Sequence, residues 1–458
     1  MLENHRGPIA SVWIYLSTLV LGMVFATPAL GQDNAQKAPA SKAPADSKAT
    51  QDDGLDDDGN PIEALKIYAT AADYQGNDAF ELAIIDWKKL IEKYPDAPIA
   101  SKAQHYLGVC YLRQPTRDYA LAINAFEQAL KDKKLDVREE SLVNLGWSLY
   151  MRGREGQGDT MRQDLEQAAK VFRLLREDYA DGAYLDQALY YTGEANYMLG
   201  RGEEATKSYR EFISSNALAK SPIRPDALYA MGVNFENMKQ DARAKEVYDQ
   251  FAKQYPEHRL LADVRLRMAE LALNADEPQQ ALPLLKGLVE GKQTSTMQDY
   301  VLYRYAYALN KTGKPKEASA MFQRLVKEFP NSPYATLSRL NAGQSLMQDK
   351  QFDEAAAIFS KLIRDKTPQT AEAAHWLAQI HLVQKKWPEA AAVAREALQA
   401  FPSGDINVLL QMDLGDALLE QPESRSEARA IFEDVVNNHS DHSLVPRAMY
   451  NAAFTSLQ

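Results

Sequence analysis

From Ile62 onward, apolar residues recur at spacings of three and four in runs about a helix long, separated by short polar turns such as "QGN", "MKQD" and "KTGK". That periodicity predicts a succession of amphipathic α-helices, each with one buried face. A second pattern lies over the first. An anchor alanine, followed four residues later by a large side chain in nine of ten cases, as in "AINAFEQAL", recurs at Ala83, Ala122, Ala168, Ala205, Ala244, Ala281, Ala318, Ala355, Ala390 and Ala428. The residues four later are Trp87, Phe126, Phe172, Tyr209, Tyr248, Leu285, Phe322, Phe359, Ala394 and Phe432, eight of them aromatic. Successive anchors lie 35 to 39 residues apart, with one gap of 46.

Upstream of each anchor stands another small residue: Ala71, Gly108, Gly146, Gly193, Gly232, Ala269, Ala306, Gly343, Ala378 and Gly415. Seven of these pairs are 12 residues apart; the third, at 22, is expected to hold an extra polar loop around "REGQGDTMRQ" (154–163). The unit is therefore two helices whose backbones approach closely where small residue meets small residue, with an aromatic one turn on filling the space between them. No unit can bury its face alone, so neighbours must stack. Pro95, Pro256, Pro330 and Pro402 each fall 12 residues after an anchor, where the second helix must stop. The two P-x-x-P segments, "KYPDAPIA" and "EFPNSPYA", thus read as seams between units, with Ser332 expected to cap the next helix and Pro333 expected in its first turn.

The "LGVCY" of residues 107–111, the Ala-x-x-x-aromatic element and the proline after the second helix resemble the tetratricopeptide repeat family over nearly all of residues 62–458. The resemblance implies an all-α, right-handed α-solenoid of about ten helix pairs acting as a protein-binding scaffold. With an export signal and "YPDAP" and "FPNSPYA" links, the chain is similar to the bacterial cell-envelope branch, which includes the outer-membrane assembly lipoprotein and the Tol-Pal-associated periplasmic coordinator. It departs from the first in having no cysteine to carry a lipid, and from the second in having no obvious amino-terminal coiled coil.

Residues 1–31 read as a signal peptide. Ile9 to Ala26 are uncharged and mostly apolar, and Ala29 and Gly31 are small residues placed for cleavage before Gln32. The alternative is an uncleaved signal anchor. Residues 32–61, rich in Ala, Lys, Asp and Pro, read as a disordered linker. The body is then exported, periplasmic or associated with the cell envelope.

Composition narrows the function further. A net charge of −11 disfavours a nucleic-acid partner. Cys110, the single cysteine, sits in an apolar helix segment and reads as core. "GRGEEATKS" lacks the glycine before Lys207 that a phosphate loop needs, and no Gly-x-Ser-x-Gly elbow occurs. His375 and His381, six apart, fall on different helix faces, and "HSDH" at 439–442 reads as a solvated link, so neither pair makes a metal site. Neither catalysis nor a cofactor or metal is expected.

The resemblance leaves a concave groove lined by the first helices of the units. Positions six and three before the small residue, and one and four after it, form one face. They carry Tyr68, His105, Trp147, Tyr150, Tyr190, Tyr197, Tyr229, Tyr300, Tyr303 and Tyr307, with Glu140, Glu194, Asp226, Glu236, Asp263, Glu270, Glu372 and Asp416 among them, and Lys102 as the base found there. An aromatic and acidic channel suits a protein segment with apolar or basic side chains. The alternatives are that the tyrosines brace helix against helix in an architectural spacer, or that the rings stack on sugar or lipid in an accessory of an envelope enzyme.

Overall fold

The computed structural model describes residues 54–291, 297–404 and 406–457. Among the described residues there are 21 α-helices, a 3-10 turn at Pro422–Ser424 and no β-strand. The expected signal peptide and the linker up to residue 53 lie outside them. None of the described helices is long and apolar enough to cross a membrane.

The chain forms two compact units, divided after Pro256. The first holds five helix pairs: α1 Ile62–Gly76 with α2 Phe80–Lys93, α3 Ala100–Arg113 with α4 Tyr119–Ala129, α5 Arg138–Glu155 with α6 Gly158–Asp178, α7 Leu185–Met198 with α8 Gly202–Ser214, and α9 Arg224–Asn237 with α10 Asp241–Gln254. The second holds five more: α11 Leu261–Asn274 with α12 Pro278–Glu290, α13 Gln298–Lys311 with α14 Pro315–Glu328, α15 Ala335–Gln348 with α16 Phe352–Arg364, α17 Thr370–Val383 with α18 Trp387–Ala400, and α19 Ile406–Leu419 with α20 Arg425–Asn438. A last helix, α21 Val445–Leu457, packs on α20. Within each unit every helix packs on its neighbours in sequence, as in a solenoid.

All ten anchor alanines are fully buried. Their mates show a division of labour that the sequence pattern only hinted at. Wherever the small residue of the first helix is glycine, the ring four residues after the anchor lies directly on it. A Cβ built on Gly108, Gly146, Gly193, Gly232, Gly343 or Gly415 would fall 2.3–2.8 Å from Phe126, Phe172, Tyr209, Tyr248, Phe359 or Phe432 respectively. The close approach is thus of ring to backbone. Where the small residue is alanine, the facing side chain is Trp87, Leu285, Phe322 or Ala394.

The turn within each of the seven 12-spaced pairs has a fixed geometry. Five residues before the anchor, Asp78, Gly200, Lys239, Asp276, Gly313, Lys350 and Lys385 all take left-handed backbone, with φ from 55° to 74°. The seams follow the prolines: α2, α10, α14 and α18 each stop two residues before Pro95, Pro256, Pro330 and Pro402. The capping expectation at "EFPNSPYA" needs correction. Helix α15 starts at Ala335 with no side-chain cap, and Pro333 lies before its first turn. Ser332 instead accepts from the Tyr334 backbone N–H at 3.1 Å and donates to Asp299 of α13 at 2.6 Å. Ser221 does the same between Ile223 N–H and Asp186 of α7. The seam serine ties one pair to the first helix of the pair before it.

Two further expectations shift. The extra residues of the third pair are helical: α5 and α6 run to 18 and 21 residues, and the span expected as a polar loop is mostly their lengthened ends. Arg152 clamps Asp164 through two 2.7 Å hydrogen bonds across the extension, so its polar residues hold helix to helix. The expected linker also ends early, because residues 54–61 form a turn. The Asp56 carboxylate accepts from the backbone N–H groups of Asp58 and Asn60, while Asn60 accepts from Ile99 N–H at 2.8 Å in the first seam.

Candidate partner-binding face

The first-helix stripe splits into a buried part and an open part. In the first unit, five of its expected aromatics are buried: Tyr68, Trp147, Tyr150, Tyr190 and Tyr229. Tyr68 meets Trp87 edge-on at 4.9 Å, and Trp87 in turn stacks on Tyr106. Trp147 meets Tyr119 edge-on, with the Arg117 guanidinium 5.9 Å above its ring. Tyr150 and Tyr190 both lean on Tyr191 at 5.2 Å, and Tyr229 lies 6.4 Å from Tyr248. Tyr68, which also reaches Tyr106 edge-on, Trp147 and Tyr150 brace one helix pair against the next, whereas Tyr190 and Tyr229 brace their own pair. Tyr197 and Asp226 stay half-buried, and Tyr197 Oη accepts from Asn237 Nδ2 at 2.6 Å.

Glu194 is the centre of this region. It is buried, and its carboxylate accepts from Tyr209 Oη at 2.5 Å and from Tyr150 Oη at 3.5 Å. Burial pushes its carboxyl up to about 7, against the pull of the two phenols and of Arg154. In the same unit Tyr248 Oη donates to Glu236. Lys102 pairs with Asp136, and burial drives the His105 imidazole, hydrogen-bonded to Ser141 at 2.8 Å, down to about 4. Cys110 is core: burial raises its thiol to about 12.

In the second unit the open part is larger. Tyr300 is buried, whereas Tyr303 and Tyr307 are half-buried. Tyr334, from the seam before α15, stacks on Tyr303 at 5.3 Å with the rings 22° from parallel, and reaches Tyr300 at 5.4 Å. Arg304 donates from Nε to Glu270 Oε1 at 2.7 Å, with its guanidinium 5.4 Å above the Tyr307 ring. Lys311 Nζ stands 5.8 Å from the same ring. Thus Glu270, Tyr300, Tyr303 and Tyr307 form one cluster completed by two residues outside the expected stripe. Arg304 is two positions before Ala306 and reaches in on its long stem; Tyr334 lies in the seam immediately before α15.

The acids of the stripe are engaged from within the fold. Asp416 binds Arg447 and Asn451, yet burial still raises its carboxyl to about 6. Glu372 accepts from Gln344, and burial raises the Glu140 and Asp263 carboxyls. The described residues contain no cluster of metal-ligating side chains.

Family models described as tetratricopeptide repeat match residues 187–217, 226–258 and 300–332, and a further one matches 340–405. Each match falls on helix pairs: α7–α8, α9–α10, α13–α14, and α15 through α18. These four segments are tetratricopeptide repeats. These tetratricopeptide repeats also resemble several solved structures. The C-terminal part of a TPR repeat-containing protein from Cytophaga hutchinsonii is 16% identical, with a TM-score of 0.44, covering 57% of this chain and 98% of that one. A tetratricopeptide repeat protein from Parabacteroides merdae is 16% identical, with a TM-score of 0.36, covering 61% and 98%. Pseudomonas aeruginosa pilF is 18% identical, with a TM-score of 0.36, covering 51% and 94%. Comparison with curated protein sequences gives no match. Tetratricopeptide repeats generally mediate protein–protein interaction, and no catalytic family is indicated.

Proposed function

We propose that this tetratricopeptide repeat protein is an exported, non-catalytic scaffold of the bacterial cell envelope that captures an extended or helical segment of a partner protein on its first helices. The observation that carries this reading is the half-open cluster of Tyr303 and Tyr307 around Arg304. Its flat rings are held rigid by stacking and by a buried ion pair, so little ordering entropy opposes binding. Apolar side chains gain most from such rings, and the acidic chain favours partners that also carry basic residues. Export rests on the signal-like residues 1–31.

The test is affinity capture from envelope extract with the protein and its Tyr303→Ala/Tyr307→Ala variant, at low and high salt. The reading expects specific partners that the variant loses and that high salt weakens. Recovery of the same set by both proteins refutes it. Capture of glycan that persists in high salt points instead to a carbohydrate-handling accessory.

A further inference from the structure

The open part of the Arg304 cluster is chemically one-sided. Arg304 spends its Nε on Glu270, whose side chain is only 5% exposed, so that carboxylate is not offered to the surface. Among the described residues, the two terminal guanidinium nitrogens of Arg304 have no hydrogen-bond acceptor, and the hydroxyl of half-buried Tyr307 has no hydrogen-bond partner. Lys311, one turn beyond Tyr307, has the exposed Asp276 as its ion-pair partner, at 4.0 Å. These residues therefore leave open a set of donors, two of them cationic.

The rings decide against a basic occupant. Tyr307 already has the Arg304 guanidinium 5.4 Å and the Lys311 ammonium 5.8 Å from its centre, so a third cation would meet two charges of its own sign. One face of Tyr303 is covered by Tyr334. Donors of a charged group left without acceptors in a poorly solvated place are costly. A carboxylate relieves that cost through charge-assisted hydrogen bonds, and the guanidinium fork suits its two oxygens. We propose that the partner residue seated beside Tyr307 is acidic, an aspartate or glutamate side chain held by the terminal nitrogens of Arg304, the Tyr307 hydroxyl and Lys311. This rests on the reading that the cluster receives a partner segment. At this one place it reverses the preference for basic residues that a net charge of −11 gives the chain as a whole.

Selection of random linear peptides on the full chain, followed by fluorescence anisotropy with the enriched peptides, tests this. Peptides that the Tyr303→Ala/Tyr307→Ala variant no longer binds should share an aspartate or glutamate. Changing that acid to its amide should weaken binding about tenfold or more. Lys311→Glu, a charge reversal at a partly exposed side chain, should weaken the acidic peptides more than their amide forms. Glu270→Leu with Arg304→Met removes the fork without stranding its partner, and should bind acid and amide forms alike. Acidic peptides held equally well by the parent and by both of these variants, or tyrosine-dependent peptides whose shared residue is basic or uncharged, would overturn the acidic seat and leave partner capture standing. If no enriched peptide depends on Tyr303 and Tyr307, both fall.

Discussion

The Tyr248 ring lies directly against the backbone of Gly232: a Cβ there would fall 2.3 Å from Tyr248 Cε1 and 2.8 Å from Cζ. The ring cannot yield easily, being fully buried with its hydroxyl donating to Glu236. Gly232→Ala should therefore destabilise the first unit by about 1–3 kcal/mol, as overpacking does. Gly287 supplies the contrast. It sits inside α12 with nothing within 4 Å of its Cβ position, and Gly287→Ala should stabilise by about 0.5–1 kcal/mol through helix propensity. Urea midpoints of the two variants should move in opposite directions.

The left-handed turns make a second pair of opposed changes. Gly313 has φ +74° and open space around it, so Gly313→Ala is disfavoured by backbone conformation alone, at about 1–2 kcal/mol. Lys350 occupies the equivalent position at φ +62°. Lys350→Gly relieves that conformation, and should raise the denaturation midpoint even though it removes no contact in the core. Equal and small shifts for both would show that the turn tolerates either residue.

The repeat was legible because three periodicities agreed: helical spacing, the small-residue pairs and the seam prolines. What each position does was legible only in part. A residue three before the small position can be wholly buried among its neighbours or left half-open, so spacing alone does not distinguish Tyr190, buried, from Tyr303, half-open. The third pair misled because a polar run reads as loop, while the Arg152–Asp164 clamp that makes it helical is a contact between helices. Spacing does not reveal Arg304 because its Cα lies off the stripe; the length of its side chain brings the charge back.

Arg304 and Glu270 form a pair whose worth depends on both members. Their side chains are 13% and 5% exposed. Glu270→Ala strands the guanidinium in a poorly solvated site among tyrosines and should cost about 3–5 kcal/mol. Replacing both, as Glu270→Leu with Arg304→Met, removes the stranded charge and should recover most of that loss. A double-mutant cycle read by chemical denaturation checks it; a double variant no better than Glu270→Ala would mean that packing, rather than charge, sets the cost.

Glu194 should make stability fall as pH rises, opposite to an acid held by a salt bridge. Its carboxyl is raised by burial from 4.5 to about 7, so between those values the unfolded chain releases the proton while the folded chain keeps it. Each unit of that difference is about 1.4 kcal/mol, which puts the loss at about 3–4 kcal/mol, complete about a unit above pH 7. Glu194→Gln cannot ionise yet still accepts from Tyr209 through its amide oxygen. Asp416, raised by burial in the second unit, titrates in a similar window but is common to both proteins. Relative to wild type, then, Glu194→Gln should gain stability from pH 4 to pH 8, measured as the difference in urea midpoints. Parallel pH profiles would mean that Glu194 is ionised in the fold, with the phenols of Tyr150 and Tyr209 supplying enough hydrogen bonding to keep it so.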